Sequence, residues 1–270
     1  MTRNFPVRIG VQLAPQHASF ATHMAAVQEV EQLGADAVFN WDHFFPLSGN
    51  PDGAHFEATT QLAAWAAVTS TIELGPLVFC NSYRNPDLLA DIARTLDHAS
   101  DGRFIFGIGS GWFERDYEEY GYTFGTAGGR LNKLAAALPR IRERWTKLNP
   151  APVRDIPILI GGAGEKKTLR LVAEHANIWH SFVGPDVLPH KLEVLQEHCE
   201  AVGRNLDEIE FSNGASVRAG ADAIGEERLD ELFELGTTFF TIPLTPDDQT
   251  GAYDFAPVRT AIAWRDAKNA

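Results

Sequence analysis

Short apolar runs alternate with amphipathic stretches along the whole chain. The runs predict strands at 8–13, 36–41, 73–79, 103–108, 156–160, 177–182, 208–217 and 237–243. Helical periodicity between them predicts helices at 20–33, 57–70, 86–99, 130–147, 165–175, 186–202, 226–235 and 254–268. Gly34 stops the first helix and Pro86 opens the third. The strands are almost continuously apolar, as in a parallel sheet covered on both faces. Strict strand–helix alternation means an α/β protein, and eight units favour a closed (β/α)8 TIM barrel. An open doubly wound sheet would give the same alternation; the count in this length argues for closure. No linker or charge block divides the chain, so residues 1–270 read as a single domain.

The 270 residues, 44% of them hydrophobic, suffice for a full core. A net charge of -13 argues against nucleic acid and acidic membrane surfaces as partners. The two cysteines, Cys80 and Cys199, are too far apart for a disulfide framework or a zinc pattern. The first residues, MTRNFPVRIGVQL, carry too short an apolar run for a signal peptide. No stretch reaches the roughly 18 apolar residues of a membrane span. A soluble, cytoplasmic protein acting on a small molecule is expected.

The densest signal is 95–112, TLDHASDGRFIFGIGSGW, in which a predicted strand runs into Gly107, Gly109 and Gly111. The spacing G-x-G-x-G falls one residue short of the dinucleotide fingerprint, and no downstream acid completes it. It reads as a loop lying close to a bound cofactor. In a barrel, chemistry belongs at the C-terminal strand ends. That rule selects Gln12, Pro15, Trp41, Asp42, His43, Cys80, Asn81, Ser110, Trp112, His180, Asn213 and Ser216. Asp42-His43 sets a carboxylate beside an imidazole, which is either proton-transfer chemistry or a capping Asp with a packed His. Gly161-Gly162-Ala163-Gly164 enters a predicted helix and suits a phosphate, or is a tight turn needing glycine. His55 and Glu57 lack further ligands, so no metal is expected. No G-x-S-x-G elbow is present.

Several blocks together resemble the luciferase-like monooxygenase superfamily, most closely its branch using the deazaflavin coenzyme F420. They are Leu74-Gly75-Pro76-Leu77-Val78, Tyr83-Arg84-x-Pro86, Thr95-Leu96-Asp97 through Ser100-Asp101-Gly102-Arg103, and Gly107 through Trp112. Ile160-Gly161-Gly162-x-Gly164 with Thr168-Leu169, and Ala263-Trp264-Arg265-Asp266, continue the match. The resemblance implies a TIM barrel with a non-proline cis peptide at Leu77–Val78 behind the cofactor ring. It also implies His43 at the reactive face with Asp42 orienting it, and Cys80 and Asn81 along the ring or ribityl chain. Gly109, Ser110 and Gly111 would follow the tail, and Gly161, Gly162, Ala163 and Gly164 the phosphate. Gln12, Trp41, Trp112 and His180 would line the substrate pocket.

The chain departs from the family pattern in three places. The insertion between Trp145 and Ile156, before the fifth strand, is short. Asn177-Ile178-Trp179-His180 replaces the usual Asp-Gly-Trp-Asn. Trp112 stands where the sugar-phosphate dehydrogenase relative has an acid, with Glu114 as the nearby substitute. The resemblance implies hydride transfer between F420 and a small organic substrate, and a homodimer. Two rival readings are an FMN-dependent monooxygenase and a barrel that binds a cofactor without turnover.

Overall fold

The computed structural model describes residues 4–214, 226–247 and 249–270. Its strands are β1 (Arg8–Leu13), β2 (Ala37–Asn40), β3 (Glu73–Pro76), β4 (Phe79–Cys80), β5 (Phe106–Gly109), β6 (Ile158–Gly161), β7 (Ile178–Ser181), β8 (Glu210–Gly214) and β9 (Phe239–Leu244). Helices α1 (Phe20–Gln32), α2 (Ala58–Val68), α3 (Pro86–Ala99), α4 (Glu114–Glu119), α5 (Ala127–Trp145), α6 (Thr168–His175), α7 (Leu188–Val202), α8 (Glu226–Glu234) and α9 (Ala256–Asn269) lie between and after them. Local chemistry sets several ends. Ser19 caps α1 by accepting from Thr22 N at 3.1 Å, and Asn85 with Pro86 opens α3.

All strand pairs are parallel, in the order β3-β2-β1-β9-β8-β7-β6-β5-β4. The expected TIM barrel is therefore the fold. The predicted third strand, 73–79, is two pieces. β3 pairs with β2, β4 pairs with β5, and the cis Leu77–Val78 peptide separates them. The barrel closes across this break through the Leu74–Phe104 bridge, with Leu74 N donating to Arg103 O at 3.1 Å. Two other expectations shift. The helix after the fifth predicted strand starts at Thr168 rather than 165, and a short helix, α4, occupies what the sequence pattern leaves as a charged loop. The end of the predicted seventh strand, with Ser216, lies outside the described residues.

Two apolar layers hold the barrel. Ile9, Val11, Val38, Phe106, Ile160 and Phe240 face outward into the layer shared with the helices. Ala37, Phe39, Leu77, Ile105, Leu159, Ile178 and Phe239 meet inside the barrel, with Val78 packed on them. A charged plug closes the N-terminal end. Arg8 Nη1 meets Glu73 Oε2 at 2.7 Å, Arg154 Nη2 meets Glu73 Oε1 at 2.8 Å, and the Arg8 guanidinium lies 4.0 Å from the Phe239 ring centre. Glu210 is buried beside it, and burial pushes its carboxyl up to about 7. The block ending in Arg103 is scaffold. The Arg103 guanidinium donates to the carbonyls of Ile72, Thr69 and Ser100 at 2.6, 2.9 and 2.6 Å, pinning the C-terminal end of α2 to the entry of β3.

The glycines of the G-x-G-x-G stretch serve the closure. A Cβ on Gly107 would stand 2.0 Å from the Pro76 carbonyl oxygen, and one on Gly109 would stand 2.8 Å from Val78 Cγ2. Protein atoms fill the space in which the glycine spacing suggested a cofactor. Gly107→Ala therefore forces the split strand and β5 apart and is expected to destabilise by more than about 4 kcal/mol. Gly121 has φ +71, and a Cβ there would meet nothing within 4 Å, so Gly121→Ala should cost only ~1 kcal/mol of strain. Thermal melts of the two variants check the contrast; equal losses would remove the close-approach argument.

Candidate active site

The C-terminal ends of the strands form the mouth. Val78 is its half-buried floor: the break in the third strand carries this side chain into the barrel above Gly107, Gly109 and Gly161. A Cβ on Gly161 would meet Val78 Cγ1 at 3.2 Å. Gln12 Nε2 donates to Leu77 O at 3.1 Å, and Leu77 N donates to Asn40 O at 2.7 Å, so β1 and β2 both hold the floor.

The loop after β2 supplies His43, and its partner is not Asp42. His43 Nδ1 lies 2.6 Å from Asp116 Oδ2. Asp116 is fully buried on α4 and also accepts from Phe44 N at 3.0 Å and from Tyr83 Oη at 2.8 Å. Asp42 faces the other way. Arg84 grips both its oxygens at 2.6 and 2.8 Å, Cys80 N donates to it at 2.8 Å, and Arg84 continues to Glu57 at 2.8 Å. Burial alone would raise the Glu57 carboxyl, but hydrogen bonds from Thr60 and Thr59 hold it down to about 2. Sequence adjacency misled here because the two side chains take partners from different elements, Asp42 pairing with Arg84 after β4 and His43 with Asp116 on α4.

Helix α4 reaches this position through aromatic packing. Phe44 stacks on Tyr120 at 3.9 Å, and Tyr83, Tyr117, Tyr122 and Phe124 close around it. Cys80 belongs to this cluster: its thiol lies 3.1 Å from Tyr117 Oη, and burial pushes it up, so its side chain does not face the mouth as expected. Gly111 has φ +79 and its carbonyl accepts from Arg130 Nε at 3.0 Å, which makes it an anchor for α5. Ser110 is half-buried beside it, its carbonyl 3.4 Å from Tyr117 Oη. Glu114, the expected substitute acid, is exposed, with no hydrogen bond or ion pair among the described residues.

Aromatic rings frame His43. Trp112 and Phe113 meet it edge-on at 5.6 and 5.5 Å, and Trp112 remains 61% exposed. Trp41 lies 6.4 Å away and donates its indole N–H to His55 Nε2 at 2.9 Å. Burial holds His55 down to about 4, so it is a neutral acceptor; it and Glu57 are engaged elsewhere and do not converge. On the far wall His180 is buried, with Nδ1 2.9 Å from Ser212 Oγ and Nε2 without a hydrogen-bond partner among the described residues. Burial pushes it down to about 3. Trp179, two residues beyond Asn177, is core and donates to Gly162 O at 2.7 Å.

The predicted phosphate turn is partly committed to the sheet. Gly162 has φ +119 and its N–H donates to His180 O at 2.9 Å. The amides of Ala163 and Gly164 make no hydrogen bond among the described residues, and Gly164 O accepts from Leu169 N at 3.0 Å. Lys167 stands beside the turn, its Nζ 2.6 Å from Asn132 Oδ1. Asn81 Oδ1, after β4, is buried without a hydrogen-bond partner among the described residues. Free amides, a cation and orphaned polar atoms around an apolar floor fit an anionic, flat cofactor.

The luciferase-like monooxygenase family matches residues 4–240, and the chain belongs to it. An uncharacterized protein of Mycobacterium tuberculosis is 29% identical over 212 residues, covering 71% of each chain. An F420-dependent glucose-6-phosphate dehydrogenase of Amycolatopsis mediterranei is 26% identical over 205 residues, 67% of this chain and 60% of that protein. Among solved structures, an F420-dependent secondary alcohol dehydrogenase with an F420-acetone adduct superposes with a TM-score of 0.84 at 15% identity, covering 97% of this chain and 99% of that one. A type II Baeyer-Villiger monooxygenase of Pseudomonas putida with FMN gives 0.72 at 14% identity, covering 98% and 97%. The chain is an oxidoreductase of this family. Among the described residues no helix is long and apolar enough to cross a membrane.

Asp42 and Arg84 form a buried pair, so Asp42→Ala leaves the guanidinium with Glu57 alone and the Cys80 amide without its acceptor, and should destabilise by about 3 kcal/mol. Chemical denaturation checks this. A loss below about 1 kcal/mol would show that Asp42 is not the structural anchor of the loop.

Proposed function

We propose that the protein is an F420-dependent oxidoreductase that exchanges a hydride with a small neutral organic substrate. The observation that carries this reading is His43 at the mouth, anchored through Nδ1 on buried Asp116, with Nε2 free of partners among the described residues. The choice of deazaflavin rests on the sequence blocks and on the F420-dependent relative. The residues present suit it. Val78 and Leu77 would support the ring, Asn81 and Ser82 would meet its polar edge or side chain, and Ala163, Gly164 and Lys167 would take its phosphate.

Bound there, F420 supplies a carbon that accepts or donates hydride. The rest is the chain's own work. His43 moves the accompanying proton at Nε2. Trp112, Phe113 and Trp41 wall the space around the imidazole with apolar surface, limiting water and favouring an uncharged substrate. Asp116, the carboxylate in contact with His43, is buried and engaged, and by the resemblance Trp112 holds the position of the sugar-phosphate dehydrogenase's acid. A sugar phosphate is therefore disfavoured. FMN monooxygenation is the second reading, supported by the family's name and by the FMN-bound fold neighbour.

Titrating the protein with F420 and with FMN by fluorescence tests the choice. F420 is expected to bind at least about tenfold more tightly, ~1.4 kcal/mol. Tighter FMN binding would favour the monooxygenase, and binding of neither would end both readings. Against a panel of alcohols and carbonyls, His43→Ala should keep the melting temperature and F420 affinity while losing roughly 10²–10⁴-fold in turnover. Unchanged turnover would remove His43 from the chemistry.

A further inference from the structure

We propose that Asp116 is the positioning residue of this site: it fixes His43 as the Nδ1–H tautomer and so leaves Nε2 as the proton-accepting nitrogen at the mouth. The proposal rests on the reading of His43 as the proton partner.

The donor count around Asp116 leads to it. Oδ1 takes the Phe44 N–H at 3.0 Å, and Oδ2 takes the Tyr83 hydroxyl at 2.8 Å. Burial, with Cys80 and Asp116 alongside, pushes the Tyr83 phenol well up, so it stays protonated and remains a donor. A carboxylate has no hydrogen to give. The 2.6 Å contact to His43 Nδ1 therefore needs its hydrogen on the imidazole. The neutral ring then has its lone pair on Nε2.

The surroundings keep that assignment. Phe44 N–H and the His43 ring hang on the same carboxylate, so backbone and imidazole are tied to one point on α4. Trp112 and Phe113 flank the ring, with interplanar angles of 72° and 83°, and oppose a flip. Asp42 is no alternative, because Arg84 and Cys80 N occupy both its oxygens. A proton taken at Nε2 gives an imidazolium whose Nδ1–H still points at Asp116. The new charge forms beside a buried anion rather than in apolar surroundings.

The test is the tautomer itself, read without cofactor. Long-range proton–nitrogen correlation spectra of histidine-labelled protein, assigned with His43→Gln, should show His43 with a protonated Nδ1 and a bare Nε2. In Asp116→Asn the amide oxygen stays on Phe44 N–H, and its NH2 group then donates to Nδ1. The two ring nitrogens should exchange their shifts, with the proton now on Nε2. Tyr83→Phe keeps the carboxylate and should keep the wild-type tautomer. An Nε2–H form in the wild type, or no change in a folded Asp116→Asn protein, overturns the proposal. If Asp116→Asn does not fold, the wild-type and Tyr83→Phe spectra still decide it. F420 affinity of Asp116→Asn should stay within about twofold of wild type. Failure of the wild type to bind F420 would count against the proposed function and leave the tautomer result standing.

Discussion

The site depends on one steric constraint, the closure of the barrel across a broken third strand. The break turns Val78 into the lumen and brings the Pro76 carbonyl against Gly107, and the Ile105 carbonyl against Gly75. No side chain fits between those backbones: a Cβ would stand 2.0 Å from Pro76 O and 2.2 Å from Ile105 O. Interiors are packed too densely to absorb such overlaps. The glycines of β5 and the floor of the mouth are thus one feature. The wall is bare where the floor intrudes, and the remaining mouth residues take their places around Val78.

Two buried carboxylates sit within one loop's reach and do opposite work. Asp42 is neutralised by a bidentate arginine and a backbone amide, and this holds the loop after β2 to α2 and to the end of β4. Asp116 meets no arginine or lysine among the described residues; its partners are an amide, a phenol and an imidazole. A buried carboxylate must be satisfied, and here hydrogen bonds from the Phe44 amide, the Tyr83 phenol and the His43 imidazole do so. The difference in partners separates a scaffold acid from one that acts on His43.

Legibility in the sequence followed the range of the physics involved. Eight strand–helix units were readable because a parallel sheet covered on both faces needs continuous apolar runs, which are local in sequence. The helix start marked by Pro86 was readable for the same reason. The division of the third strand leaves no mark in periodicity, because Leu77 and Val78 are ordinary strand residues; only the family resemblance pointed to it. Helix α4 went unread since its six residues show no amphipathic repeat, and its position is set by Phe44, Tyr83 and Tyr122 from elsewhere. The later start of α6 reflects a turn at 165–167, where Leu169 N donates to Gly164 O, five residues back rather than four.

The sequence alone determined the barrel, the strand ends that carry chemistry, and His43 as a candidate for proton transfer. Each follows from neighbours along the chain. Tertiary structure decided what those residues do. It gave His43 the carboxylate 73 positions away instead of the one beside it, turned Cys80 into the α4 cluster, and spent the glycine spacing on closure. The reason is directional: a hydrogen-bond partner comes from whichever element packs across the gap, and sequence neighbours need not face each other.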